Sequence, residues 1–530
     1  MNARFSKCLV SVLVIAALAL AIVPFAGAQE GGEPDYWPTE GWRTSTPEEQ
    51  GMDSAELAGF IATFSQPQFN LDSLLVIRNG YIVAEAYSAP NQSEVPHHMY
   101  SASKSVVSAL IGIAIDQGEI KSVDEKMLSF FPEYTPANMD ERKAAITVKD
   151  LLTMGSGFKC DSFGADPSTD SIPEMEAAEN TSYLCLDKPM AYSPGEVQQY
   201  CQCNTYLLAT ILARTTNMDV MEFAKQNLFT PIGITEAHWL ATPEGIVQGY
   251  AGLQLMSRDM GKIGYLYLNQ GQWNGEQIIS AQYATDSISD QIATAWPDNT
   301  YGYQWWVAPS VNTVSALGHG GQYIIFIPSK DLMVVLTGGL HDTLRIFVHV
   351  YPFTYGIAAF TTADSPLPAS PEGMQQLEAA INAIASPSAQ PTSPLPATAE
   401  TVSGQSYAMI APLRLAGFGY TQGPQIQMFD FTFDHVEQAA VTLSAVEGES
   451  RTIAIGLDGL YRVSEFWGGD IAARGEWLTE NDFRLYLKYV GDCINERLDF
   501  SFMPGAATVV EYEYAMGVAA AYAATAVQPE

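Results

Sequence analysis

Met99-Tyr100-Ser101-Ala102-Ser103-Lys104 runs directly into Ser105-Val106-Val107-Ser108-Ala109-Leu110-Ile111-Gly112-Ile113-Ala114-Ile115-Asp116, a mostly apolar stretch that Gly118 can end. The spacing predicts a helix over Ser103–Gln117 with Ser101 at its entrance. A serine there lies against the partial positive charge of the helix N-terminus, which favours a developing anion. A lysine three residues later projects from the same face, within reach of the hydroxyl. Set into an apolar wall, that lysine gives up its charge easily and can act as a base. Ser101 and Lys104 therefore have the chemistry of a nucleophile and its activator.

The spacing alone is common. Ser156-Gly157-Phe158-Lys159 repeats it, but in a Gly-flanked segment with no following helix to aim the lysine. That copy is read as coincidence. An acyl-transfer serine also needs a group to move protons and donors for the oxyanion. Pro194-Gly195-Glu196-Val197-Gln198-Gln199-Tyr200-Cys201-Gln202 supplies a loop tyrosine, Tyr200, and an amide at Gln202 that can grip a substrate carbonyl. Tyr267-Leu268-Asn269 offers a rival tyrosine, but Tyr267 falls inside an amphipathic helical pattern and is read as packing. Gly318-His319-Gly320-Gly321-Gln322 enters an apolar strand. Its small residues let a substrate lie along the strand edge, with the Gln322 amide as an oxyanion donor beside the amide of Ser101.

Working outward, the pattern predicts an α+β fold. Leu74 to Ile77, the Arg78-Asn79-Gly80 turn and Tyr81 to Ala86 read as a β-hairpin. Helices are expected at Ser54–Thr63, Val148–Met154, Asn204–Arg214 and Ser257–Leu268. Strands are expected at Tyr303–Val307, Gln322–Ile327 and Leu332–Thr337. Strands at both ends of a helical middle imply an antiparallel sheet backed and capped by helices. A short helix near Glu372 to Ile384 leads into a Pro/Ser/Ala-rich linker, 386–402. Seven alternating stretches follow, giving a small all-β barrel or sandwich over 403–516 and a tail over 517–530. The main domain then occupies 29–385.

Residues 1–28 read as a cleavable leader: Arg4 and Lys7, an apolar core from Val10 to Phe25, and Ala26-Gly27-Ala28 before Gln29. The expectation is an exported protein, secreted or periplasmic, with no stable membrane span after cleavage. Cleavage would leave a chain two units more negative than the −34 of the whole sequence. Such a charge argues against nucleic acid or anionic lipid as partners. Cys160, Cys185, Cys201 and Cys203 crowd one window. No histidine lies near them in sequence, and Cys201-Gln202-Cys203 is tighter than a zinc knuckle, so disulfides are favoured over a metal. Cys493 stands apart as a buried or free thiol. No cofactor is expected.

The order Ser-x-x-Lys, loop tyrosine, then His-Gly-Gly on a late strand resembles the serine β-lactamase and penicillin-binding-protein superfamily. The resemblance is to its class C-like branch, with D-Ala-D-Ala carboxypeptidases, family VIII-type esterases and 6-aminohexanoate-dimer hydrolases. Trp37-Pro38-Thr39-Glu40-Gly41-Trp42, Thr147-Val148-Lys149-Asp150-Leu151-Leu152-Thr153-Met154 and Tyr301-Gly302-Tyr303-Gln304-Trp305-Trp306 extend it over about residues 37–360. The resemblance implies a β-lactamase/transpeptidase-like sheet with a helical subdomain. It also implies Ser101 as nucleophile, Lys104 as its base and Tyr200 as proton shuttle. His319-Gly320-Gly321 takes the place of the family's Lys-Thr-Gly, and Gln202 stands where Asn is usual. A histidine is neutral much of the time near pH 7 and glycine has no hydroxyl. An esterase or amidase acting on a small-molecule or peptide-like substrate is therefore expected ahead of a D,D-peptidase or a β-lactamase. A sensor that acylates without turnover is the reading from another class.

Overall fold

The computed structural model describes residues 34–66, 69–163, 166–340, 363–419, 422–513 and 518–527. The expected leader, 1–28, lies outside them. Among the described residues no helix is long and apolar enough to cross a membrane.

The first unit is built on a nine-stranded sheet. In chain order its strands are β1 (Arg43–Thr44), β2 (Leu71–Arg78), β3 (Tyr81–Tyr87), β4 (Ile292–Ala293), β5 (Thr300–Tyr301), β6 (Trp306–Ala308), β7 (Thr313–Gly318), β8 (Gln322–Ile327) and β9 (Leu332–Gly338). Across the sheet they run β1-β3-β2-β9-β8-β7-β6-β5-β4. All pairs are antiparallel except β1 with β3. The hairpin β2–β3 turns at Asn79 (φ 50°) and Gly80 (φ 74°), the left-handed pair that an Asn-Gly turn favours.

The central strands are apolar on both faces because helices cover both. Leu75 and Ile77 of β2 and Ile324 and Phe326 of β8 join the core shared with α2 (Ser103–Asp116), α3 (Gln202–Thr216) and α4 (Ser257–Leu268). Leu74, Val76, Ile325 and Ile327 face the other way, onto Leu57 and Ile61 of α1 (Ser54–Phe64) and Leu377 of α5 (Pro371–Ala385). Every residue of α2 from Ser103 to Ala114 is buried, so the helix that begins beside Ser101 runs through the middle of the domain.

The second unit is a closed barrel. Its strands are β10 (Ser406–Ala416), β11 (Gln422–Thr432), β12 (Gln438–Ala445), β13 (Ser450–Gly456), β14 (Arg462–Phe466), β15 (Gly469–Trp477), β16 (Asp482–Tyr489), β17 (Asn495–Met503), β18 (Ala506–Glu513) and β19 (Val518–Ala526). The order β13-β12-β11-β10-β19-β18-β17-β16-β15 closes through a β13–β15 pairing, with β14 laid on β15. Two boundaries differ from the sequence reading. Of the expected 517–530 tail, Val518–Ala526 forms β19, which pairs with both β10 and β18. The 386–402 linker ends in a helix, Ala397–Val402, whose Ala399 and Val402 are buried in the barrel core.

Candidate active site

Ser101 lies on a single 3-10 turn, Tyr100–Ala102, that feeds α2. Main-chain bonds hold the approach: Met99 N donates to Leu253 O at 2.8 Å and His98 N to Gly491 O at 2.9 Å. Lys104, one helical turn on, is 1% exposed. Its Nζ stands 2.9 Å from Ser101 Oγ and donates to the Tyr250 carbonyl at 2.8 Å. Burial pushes the lysine far below its ordinary pKa, and among the described residues no carboxylate is placed to restore it. A neutral amine beside a hydroxyl is what general-base activation needs.

Tyr200 closes the other side. Its ring is buried, stacked on Trp306 with centroids 5.7 Å apart, edge-on to Tyr301 at 6.3 Å, and near Phe163 at 4.9 Å. Lys104 Nζ lies 4.9 Å from the ring centroid. Burial raises the phenol's pKa, and a hydrogen bond with Ser101 opposes that rise. Ser101, Lys104 and Tyr200 therefore share one proton-transfer neighbourhood. The next residue, Cys201, is bridged to Cys160, and Cys185 to Cys203. All four loop sulfurs are thus paired, and the loop carrying Tyr200 is tied to the start of α3. Gln202 opens α3, and its Nε2 donates to Ser162 Oγ at 3.1 Å.

The other candidates separate. Lys159 is exposed while Ser156 is buried, so the second Ser-x-x-Lys makes no pair. Tyr267 packs edge-on to Trp305 at 4.8 Å.

The glycine-rich segment brings a correction. β7 ends at Gly318, and His319-Gly320-Gly321 forms the turn into β8 instead of a strand edge, with φ +75° and +107° at the two glycines. Gly318 is where β7 comes against the nucleophile's turn: a Cβ there would collide with the Met99 carbonyl. The Gln322 side-chain amide is engaged elsewhere. It donates to Gly338 O at 2.7 Å and to His319 O at 3.1 Å, bracing the strand end. The His319 ring lies 5.6 Å from the Tyr100 ring. Burial pushes its imidazole below the ordinary value, with Asp492 partly offsetting the effect.

Two contributors escaped the sequence reading. The Tyr250 carbonyl is a main-chain group with no side-chain signature. The Asp492-Cys493 turn of the barrel reaches the site from far along the chain: Tyr100 Oη donates to Asp492 Oδ1 at 2.6 Å. Cys493 is free and buried, as expected, and packs against Gly320.

A family profile described as Beta-lactamase matches residues 55–343. A 6-aminohexanoate-dimer hydrolase of Paenarthrobacter ureafaciens is 24% identical over 285 residues, 50% of this chain and 71% of its own. A D-aminopeptidase of Brucella anthropi is 26% identical over 204 residues, 36% of this chain and 34% of its own. Among solved structures, a candidate 6-aminohexanoate-dimer hydrolase from Bacillus anthracis has a TM-score of 0.50 at 20% identity, covering 61% of this chain and 88% of its own. With the profile spanning more than half the sequence, and the serine, lysine and tyrosine that chemistry demands gathered in one place, the chain belongs to the Beta-lactamase family of serine hydrolases.

Proposed function

We propose that this protein is an exported serine hydrolase that opens an ester or amide bond through an acyl-enzyme on Ser101. The observation carrying the reading is the 2.9 Å approach of a buried Lys104 Nζ to Ser101 Oγ. The neutral amine takes the serine proton as Oγ attacks the carbonyl carbon. The oxyanion is met by main-chain N–H groups, that of Ser101 among them. Tyr200 then passes a proton to the leaving alkoxide or amine. Water enters, loses its proton to the same pair, and releases the acid with Ser101 restored.

Hydrolysis is favoured over acylation without turnover because relatives bear the names of a dimer hydrolase and an aminopeptidase. Uncharged acyl substrates are favoured over β-lactams. His319, neutral from burial, offers no fixed cation for a β-lactam carboxylate, and a D,D-peptidase ranks between the two. Export is supported by the leader pattern and by two disulfides, which persist in oxidising compartments.

The test is a panel of short-chain esters, peptides and cephalosporins, with fluorophosphonate labelling, on the wild type and Ser101→Ala. Turnover of an ester or amide, lost with labelling in Ser101→Ala, is expected. Equal turnover by Ser101→Ala would overturn the assignment, and cephalosporin turnover faster than every ester and peptide would overturn the substrate ranking.

A further inference from the structure

We propose that Asp492, carried in by the barrel, is a positioning residue for the nucleophile and acts through Tyr100. The inference rests on the acyl-enzyme reading of Ser101. Tyr100 immediately precedes the nucleophile and has φ +48°. A bulky L-residue avoids that left-handed conformation unless its surroundings hold it. The Tyr100–Ser101 peptide sets where Ser101 Cα sits and where its N–H points, so whatever holds Tyr100 also aims the nucleophile.

The holding group is Asp492. The Tyr100 ring is 3% exposed, and its hydroxyl donates to Asp492 Oδ1 at 2.6 Å. Asp492 is fully buried and is itself fixed. Gly419 N donates to Oδ2 at 2.6 Å and Ile494 N to Oδ1 at 3.3 Å, while His98 Nε2 stands 3.7 Å away. Gly419 and Ile494 belong to the barrel and Tyr100 and His98 to the first unit, so the carboxylate ties the two units together beside Ser101. The next residue, Cys493, presses on Gly320 in the turn after β7. One barrel turn thus braces both the residue before Ser101 and the turn after β7. A residue that only stabilised the interface would have no reason to grip the strained residue beside Ser101.

The full chain tests this with Tyr100→Phe, Asp492→Asn and the double variant. The probes are a p-nitrophenyl ester and a fluorophosphonate. Each single variant should lower kcat and the labelling rate by about 10- to 100-fold, the scale of a small misplacement of a reacting group. KM should stay within about threefold, and the double variant should be no worse than the worse single, as expected of two groups on one path. Tyr100→Phe deletes one hydroxyl, so it decides alone if Asp492→Asn does not fold. Labelling and kcat within about threefold of wild type in a folded Tyr100→Phe would overturn the proposal. So would losses that vanish when each variant is assayed well below its own Tm. If the wild type neither labels nor differs from Ser101→Ala, the acyl-enzyme reading itself fails. A normally labelling wild type with an unchanged Tyr100→Phe sinks only the clamp.

Discussion

In the proposed mechanism Lys104 serves as the base because of its surroundings: an ordinary lysine holds its proton to about pH 10.4, and burial withholds the water that would keep this one charged. Acylation requires the neutral amine. The kcat/KM profile should therefore rise with pH at a midpoint well below that of free lysine, and Lys104→Ala should abolish both that limb and acylation. The stability sign follows. The unfolded lysine keeps its proton where the folded one has lost it, so this site makes stability rise with pH between the two values. Lys104→Met should flatten that rise in Tm against pH, and an unchanged slope would refute it. Tyr200→Phe should lower kcat by about 10²–10⁴, the usual scale for a general acid–base group, while Tyr267→Phe should leave it unchanged. Stopped-flow ester hydrolysis on both decides which tyrosine moves the proton.

The loop from Cys160 to Cys203 is an element made rigid by cross-links. Its bridges span sequence separations of 41 and 18 residues. By chain-entropy reasoning each contributes about 3–4 kcal/mol. Their effects on function should differ, because Tyr200 adjoins Cys201. Cys160→Ser and Cys201→Ser should lower both Tm and kcat, whereas Cys185→Ser should lower Tm with a smaller change in kcat. Melting curves and kinetics on each variant check this, and equal kcat losses in all three would break the link to Tyr200. Gly318→Ala gives a second expectation. The added methyl meets the Met99 carbonyl with no room between strand and nucleophile turn, so activity should fall even where the fold survives.

At the scale of the whole molecule, the two units are joined by buried charge. Asp72 of β2 pairs with Lys488 of β16 and accepts from or shares a proton with His97 Nε2 at 2.9 Å, with both carboxylate and ammonium almost wholly buried. Burial alone would raise the Asp72 carboxyl, but Lys488 and His97 hold it below the ordinary range. Its folded pKa is depressed, so its contribution is full above an unfolded value of about 3.9 and is lost as pH falls below that. Lys488→Met, which strands Asp72, should cost about 3–5 kcal/mol and lower the melting of both units together. Independent melting of the barrel would contradict it. Glu496 has the opposite sign: burial and neighbouring Glu511 push it up, so it holds a proton in the folded state where the unfolded chain has released it. Stability from this group declines as pH rises through that interval. Glu496→Gln should therefore raise Tm more at pH 8 than at pH 5.

The sequence by itself determined the elements whose side chains pattern them and the pair whose spacing is its own mechanism. Ser257–Leu268 and Gln322–Ile327 lie where the periodicity puts them, because a strongly amphipathic helix and a twice-covered strand advertise their burial. Ser101 and Lys104 were legible because three residues of helix bring them together whatever the rest of the fold does. The local signal failed where neighbours supply the stability. Six of the nine residues of β19 are alanine, β10 carries Pro412 at a register shift, and β15 is rich in Gly and Ala; none favours a strand in isolation. Pairing on both sides makes each of them a strand, and so turns an expected tail into the closure of the barrel. The same holds at the site. The Gln322 side chain and the His-Gly-Gly turn took their roles from β7 and β9 beside them. Asp492 lies 392 residues from Tyr100, a contact no sequence spacing can encode. Local periodicity chose the chemistry of the nucleophile; only the docking of the barrel decided what holds it in place.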